Sequence, residues 1–316
     1  MSHKNLWTII LYGLVFVLGV SLAGCTAPTP TPSASGSTQT EETAVTPRIA
    51  LLIPEGPLFF QNLQNGAAEA ANRLGVELIT RDAVNDIATQ NQQIQEMIDL
   101  GVNAIIITPV DSTAVVPQIE AAAAAGIAIL SVDRSIASDV VTCHIASDNL
   151  SGGKMAGDYL AEAIGQQGSV VELEGIVGTS AAKERGAGFN QAMSAYANIT
   201  VAARQVADFN REVGQTVFAQ ILADNPDIDG VFAHNDEMIL GAILAAEEAG
   251  RAGDIIFVGF DAVDDAVAAL ESGSLAATIA QQPSEMGRLG VENAVKHLQG
   301  RVIPKAIAVD LAMITR

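Results

Sequence analysis

Cysteine is almost missing from this chain: 316 residues carry only Cys25 and Cys143. Cys25 closes an apolar leader, so Cys143 has no partner left and no intramolecular disulfide framework can form, even in an export setting. Histidine is scarce as well, with His3, His144, His234 and His297. The adjacent Cys143-His144 pair lacks the second cluster that a zinc site needs, and neighbours on a strand point to opposite faces. We therefore expect Cys143 to serve packing and expect no metal and no cofactor. No Ser-His-Asp order and no paired-carboxylate pattern stands out. Basic residues are few, 16 Lys+Arg against 36 Asp+Glu, for a formal net charge of −20. Such a balance repels phosphate backbones, so nucleic acid is not an expected partner.

Long apolar runs are confined to the start, where Lys4 precedes a stretch from Leu6 to about Leu22 that breaks at Leu22-Ala23-Gly24-Cys25. A short basic start, an apolar core and small residues before the cut describe an export signal over 1–25. The break resembles a bacterial lipobox, which implies cleavage and lipid attachment at Cys25. A transmembrane anchor with an incidental cysteine is the other reading of a run this long. Residues 26–47 are nearly all Thr, Pro, Ser, Ala, Gly and Glu, with Val45 the one large apolar side chain. They cannot bury enough surface to offset ordering entropy and read as a flexible tether.

From Arg48 onward the chain is rich in Ala, Val, Ile and Gly. It is long for a single core and natural for two domains. Strand-like runs near 48–53, 76–80, 104–107, 127–132, 140–145, 169–173, 200–206, 230–234, 255–260 and 275–280 alternate with helical patterns. Those patterns cover 60–74, 86–100, 112–125, 149–165, 180–196, 211–224, 237–250, 263–272 and 284–299. The alternation predicts an α/β protein whose parallel sheets carry helices on both faces. Gly126 and Gly250 stand where C-terminal caps belong, and Asp82, Asp86, Ser112 and Asp148 fall near helix starts.

Two glycine motifs imitate nucleotide loops. Gly152-Gly153-Lys154 has Asp148 and Met155 where a phosphate loop needs Gly and Ser or Thr. Gly186-Ala187-Gly188 sits inside a helical stretch and lacks the third glycine of a dinucleotide fingerprint. Close helix packing is the expected use of the first, and a nicotinamide cofactor is discounted.

Apolar runs repeatedly stop on polar residues: Ile127–Val132 on Asp133-Arg134, Gly230–Ala233 on Asn235-Asp236, and Ile255–Phe260 on Asp261. In an open α/β sheet such groups sit beyond the carboxyl ends of the strands, where ligands bind. Several stretches carry a family resemblance over nearly the whole body: Asp133-Arg134; His144-Ile145-Ala146-Ser147-Asp148-Asn149 with Gly152-Gly153-Lys154; Gly178-Thr179-Ser180-Ala181-Ala182 with Glu184-Arg185-Gly186; Asn235-Asp236-Glu237-Met238; Val258-Gly259-Phe260-Asp261; and Ala276-Ala277-Thr278-Ile279-Ala280-Gln281. On these the body resembles the periplasmic ribose-binding proteins.

The resemblance implies a pentose site of Phe59, Phe60, Asp133, Arg134, Arg185, Phe209, Asn235, Asp261 and Gln281. Sugar chemistry asks for the same residue types. C–H faces stack on the phenylalanines, carboxylates accept from vicinal hydroxyls, guanidinium groups donate in fixed forks, and the two amides offer donor and acceptor. Bland readings stand beside these. Asp133-Arg134 is also a plausible local ion pair, and either of Phe59 and Phe60 a core residue, although adjacent phenylalanines on a helix are not expected to face one core. Asp236 and Glu237 read as a helix N-cap and a first-turn charge.

The resemblance further implies one lobe of 48–147 plus 282–310 and another of 148–281 plus 311–316, joined by three crossovers that close on a sugar. The expected role is a lipid-anchored, extracytoplasmic, monomeric binding protein that hands a pentose, D-ribose first among them, to an ABC permease, with a chemoreceptor as a further partner, and that is not an enzyme. One departure leaves another aldose or sugar-like signal open. The loop Pro54-Glu55-Gly56-Pro57-Leu58 is a residue shorter than the family's and offers Pro57 or Leu58 in place of a sugar-contacting asparagine. The effector-binding half of a transcription regulator shares the fold, but it needs a DNA-binding head and a cytoplasmic address that the leader argues against.

Overall fold

The computed structural model describes residues 46–56 and 58–316. The signal segment, the lipidation expected at Cys25 and the tether through residue 45 lie outside the described residues, as does Pro57. The described residues form one compact unit, and all of its apolar core lies at or beyond Ile49.

Strand and helix alternate from the start: β1 (Arg48–Ile53), α1 (Leu58–Leu74), β2 (Glu77–Asp82), α2 (Ile87–Leu100), β3 (Ala104–Ile107), α3 (Val116–Ala124), β4 (Ala128–Val132) and β5 (Cys143–Ser147). The chain then crosses into a second sheet through α4 (Asn149–Ala163), β6 (Gly168–Glu174), α5 (Ser180–Met193), β7 (Ile199–Val206), α6 (Arg211–Asp224), β8 (Gly230–Ala233), α7 (Asp236–Glu248), β9 (Ile256–Asp261), α8 (Asp264–Ser272) and β10 (Ala277–Ala280). It returns with α9 (Pro283–Leu298) and β11 (Ala306–Val309), and crosses a third time to β12 (Ala312–Thr315). The two six-stranded sheets run β11-β5-β4-β3-β1-β2 and β12-β10-β9-β8-β6-β7. Pairing is parallel throughout except for β12, which runs antiparallel to β10.

The central strands are apolar on both faces because both faces are covered. Ile49, Leu51 and Ile53 pack toward α1 and α9, while Ala50 and Leu52 pack toward α2 and α3. In the second sheet Val171 and Leu173 meet α6, α7 and α8, and Val170, Phe232 and Val258 meet α4 and α5. Cys143 is fully buried in the first of these cores, as a packing residue should be.

Most elements fall where the pattern predicts them, and the exceptions have local causes. Asp86 and Asp148 cap α2 and α4 by accepting from Thr89 N and Ser151 N. Asp82 instead accepts from Val84 N in a turn. α3 starts at Val116 and not at Ser112, because Asp111 Oδ1 accepts from Thr113 N and Ala114 N and holds a turn ahead of the helix. β5 begins at Cys143, three residues later than the apolar run, since Asp139 to Thr142 are used in a turn and a bend. β11 and β12 were not anticipated. Each is 4 residues long and largely exposed, too little to show a period.

The glycine pair in α4 does serve packing. A Cβ on Gly153 would stand 2.1 Å from Arg185 O, and one on Gly188 of α5 would stand 2.0 Å from Leu150 O. The two helices touch backbone to backbone, and this contact seats Arg185.

Candidate binding cleft

Loops at the carboxyl ends of the strands in both sheets meet in one cleft. Phe59 and Phe60 come from the first turn of α1, and Asp133 and Arg134 follow β4. From the other sheet come Arg185 on α5, Phe209 ahead of α6, Asn235 ahead of α7, Asp261 at the end of β9 and Gln281 after β10. All 9 line the same space of about 510 Å³, its opening to solvent included. Glu55, Leu58, Ala181, Glu237 and Val263 complete the lining. Glu55, Ala181 and Val263 were not singled out from the sequence, whereas Leu58 was read at the place of the family's asparagine. Glu237 was read only as a first-turn charge, and it does pair with Arg211, whose Nε donates to Oε2 at 2.8 Å.

The cleft carries buried charge. Asp133, Arg134 and Arg185 are buried, at 4%, 3% and 3% exposure. Arg134 Nε lies 3.7 Å from Asp133 Oδ2, and Arg185 Nη1 lies 3.6 Å from Asp261 Oδ1. These are ion pairs too long for good hydrogen bonds, so the local-pair reading of Asp133-Arg134 does not satisfy either group. Burial pushes the Asp133 carboxyl up against the pull of Arg134 and Arg185. Burial likewise lowers both arginines, opposed by Asp133 at Arg134 and by Asp261 at Arg185. At Asp261 burial lifts the carboxyl from 3.8 to about 7, although Arg185 and the Gln281 hydrogen bond oppose it. Desolvation therefore outweighs attraction on both sides of each pair. Arg134 Nε and Gln281 Oε1 are buried with no hydrogen-bond partner among the described residues.

The aromatic groups organise the arginines. Arg134 Cζ stands 5.6 Å from the Phe60 centroid and 5.5 Å from that of Phe209, so the guanidinium is held between rings from opposite sheets. Arg185 Cζ lies 3.8 Å from the Phe260 centroid. Phe59 and Phe60 pack edge to face at 5.1 Å, and both join the core under α1 while lining the cleft. The expectation that the two could not share a core is corrected here: in the first turn of α1 the core wall and the cleft wall are one surface.

Two amides do less than their chemistry allows. Asn235 Oδ1 accepts from Met238 N at 3.0 Å and caps α7, and its Nδ2 donates one proton to Phe209 O at 3.4 Å, which leaves one N–H and one oxygen lone pair for a ligand. Gln281 Nε2 donates to Asp261, leaving Oε1 as a pure acceptor. Asp236 is correspondingly not the cap. It is fully buried, accepts from Thr278 Oγ1 at 2.8 Å and from Val263 N at 3.0 Å, and braces the loop that carries Asp261. Burial first, then the neighbouring Asp261, raises its carboxyl well above the ordinary value.

The backbone is strained where several of the cleft groups emerge. Asp133, Phe209 and Asp261 have φ of 62°, 55° and 116°. Such conformations cost of order 1–3 kcal/mol and persist where surrounding structure imposes them. His144 stays outside the cleft lining. Its Nδ1 meets Ser131 Oγ at 2.8 Å, and burial lowers its pKa against the pull of Asp133. Among the described residues no cluster of three or more His, Cys, Asp or Glu side chains could hold a metal ion.

Residues 49–301 match the model of a periplasmic binding protein domain. The chain is 43% identical over 258 residues to the ribose import binding protein of Escherichia coli, covering 82% of this chain and 86% of that one. It is 40% identical over 258 residues to the ribose import binding protein of Bacillus subtilis, covering 82% and 83%. A solved structure similar to it is an ABC transporter periplasmic solute binding protein from Actinobacillus succinogenes with bound D-allose. That match has a TM-score of 0.81 at 33% identity and covers 85% of this chain and 98% of that one.

Proposed function

This chain belongs to the periplasmic binding protein family, and from that premise we propose that it captures D-ribose between its two sheets and delivers it to an ABC importer. It is a sugar-binding component of such a system, and the family works outside the cytoplasm. Among the described residues no helix is long and apolar enough to cross a membrane. In this reading the lipid on Cys25 holds the monomeric body to the membrane, with the tether as spacer.

The observation that carries the reading is the pair of orphaned buried atoms, Arg134 Nε and Gln281 Oε1, on opposite sides of one cleft. A buried donor or acceptor left unmade costs about 1–3 kcal/mol, so a ligand must supply both an acceptor and a donor. A sugar hydroxyl is both. Phe59, Phe60 and Phe209 supply the surface for its C–H faces, and Asp133 and Asp261 take vicinal hydroxyls.

Because the groups come from both sheets, the sugar stabilises the closed arrangement over any open one. Ser112, Ser135 and Ser180 support closure: Ser112 N donates to Gly178 O at 3.1 Å, Ser180 N to Ser112 Oγ at 3.2 Å and Ser135 N to Ser180 Oγ at 2.8 Å. The two lobes are 48–147 with 282–310 and 148–281 with 311–316, and the permease distinguishes loaded from empty protein by their orientation.

A second aldose remains in play for one reason: Glu55 and Leu58 line the cleft where the family has an asparagine amide. The test is calorimetric titration of residues 46–316, unfolded and refolded to strip carried sugar, against ribose and then other pentoses and hexoses. Heat from ribose at the tightest Kd supports the proposal. Heat from another sugar alone keeps the transport role and renames the ligand, and silence from every sugar overturns the reading.

A further inference from the structure

A polar row lies in the second sheet, buried at Glu172 and His234 and exposed at Arg204 and Asn190. Glu172 on β6 and Arg204 on β7 are register partners, so their side chains share a face. Arg204 Nε donates to Glu172 Oε2 at 2.7 Å, and Arg204 Nη2 donates to Asn190 on α5. The other carboxylate oxygen, Oε1, meets His234 Nε2 at 3.0 Å. Glu172 and His234 are 0% and 1% exposed. Gly175 N donates to His234 Nδ1 at 3.2 Å, which makes Nδ1 an acceptor and assigns the ring proton to Nε2, pointing at Glu172. His234 N donates to Leu173 O at 3.0 Å. Both ring nitrogens and the backbone N–H of residue 234 are thus fixed.

The remaining group of His234 is its carbonyl, and it accepts from Arg185 Nη1 at 2.6 Å. Arg185 Nε donates to Asn149 Oδ1 at 2.8 Å. With those two bonds made, the same Nη1 also stands 3.6 Å from Asp261 Oδ1, and the guanidinium lines the cleft. The glycine after Arg185 belongs to the same arrangement. A Cβ on Gly186 would stand 3.1 Å from Glu172 Oε1 and 3.2 Å from His234 Cε1, so glycine here gives the pair room that any side chain would tighten by a few tenths of an ångström.

We propose that His234 is a positioning residue: clamped by Glu172 and Gly175, it aims the carbonyl that holds Arg185 and so presets the guanidinium that meets the sugar. The proposal rests on the sugar-binding reading of the cleft, but every contact in it lies on one side of the cleft and so exists before closure. A guanidinium free to swing would have to be ordered at the moment of binding, at the cost of part of its interaction with the ligand.

The test compares the parent chain with His234→Gln, which puts an amide donor where Nε2 stands, and His234→Leu, which removes both ring bonds. Two readouts are taken: the Kd for the sugar that binds the parent most tightly, and the side-chain Nε–Hε NMR signal of Arg185 in the empty protein. That signal is assigned by its loss in Arg185→Lys. The proposal expects His234→Gln to bind within threefold of the parent with the Arg185 signal in place. It expects His234→Leu to bind at least tenfold more weakly with that signal shifted or broadened. Should His234→Leu fail to fold, His234→Asn, too short to reach Glu172, is expected to move the signal in the same way. An unmoved Arg185 signal and parental affinity in a folded His234→Leu or His234→Asn variant overturn the proposal. So does a His234→Gln variant that loses affinity while Arg185 stays in place. If the parent binds no sugar, the cleft reading fails, and the NMR signal alone decides the positioning of Arg185.

Discussion

Gln281 donates Nε2 to Oδ1 of Asp261 across 2.7 Å, tying the segment after β10 to the end of β9. The bond holds one carboxylate oxygen and leaves the other for a ligand. Asp261 itself is raised to about 7, because burial outweighs the help of Arg185 and Gln281.

A pH dependence follows with a definite sign. A carboxyl raised in the folded state stabilises the fold below its ordinary value of 3.8, and that contribution is lost as pH rises through about 7. The empty protein is therefore expected to melt lower at pH 8 than at pH 5.5, and Asp261→Asn to flatten that slope. Hydroxyls donating to Asp261 favour its ionised form, so sugar binding near pH 7 should release protons. Calorimetry in two buffers of different ionisation heat reads this directly, and equal heats in both count against it.

The serine contacts across the cleft predict an effect on affinity away from the sugar. Ser180→Ala removes the acceptor for Ser135 N. A hydrogen bond contributes about 0.5–1.5 kcal/mol, so affinity should fall about two- to tenfold. The loss should appear in the dissociation rate by stopped flow, with the thermal transition of the empty protein little changed.

Gly153→Ala puts a Cβ into the carbonyl of Arg185 and forces α4 from α5. Overpacking of this kind costs about 1–3 kcal/mol. Thermal denaturation should show a lowered Tm, and sugar affinity should fall with it because Arg185 is carried on the displaced backbone. A stable variant that binds as the parent does would show that the two helices can separate without moving the guanidinium.

Legibility in the sequence followed burial. β1 and β3 cover the segments predicted for them, 48–53 and 104–107, since both faces of their apolar runs are covered and nothing interrupts the run. β11 and β12 are short and half exposed, so pairing with β5 and β10 is decided by tertiary contacts that no local pattern carries. Asp133, Asn235, Asp261 and Gln281 stand at strand ends, where apolar runs stop on polar residues, whereas Phe59, Phe60 and Arg185 on helices and Phe209 in a loop came from motif resemblance alone. Their working state was legible in neither. Nothing in the letters says that Asn235 gives its oxygen to a helix cap, that Phe209 sits at φ 55°, or that Phe59 and Phe60 share a core. Glu55 carried no periodic or motif signal and entered the cleft only through the path of the loop.

The most direct measurement titrates Asp261→Ala beside the parent with ribose and follows both by thermal denaturation. The account predicts a binding heat in the parent, none in the variant, and a thermal transition of the empty variant close to the parent's. Undiminished ribose affinity in Asp261→Ala would contradict it, because the cleft described here would then not be where the sugar binds.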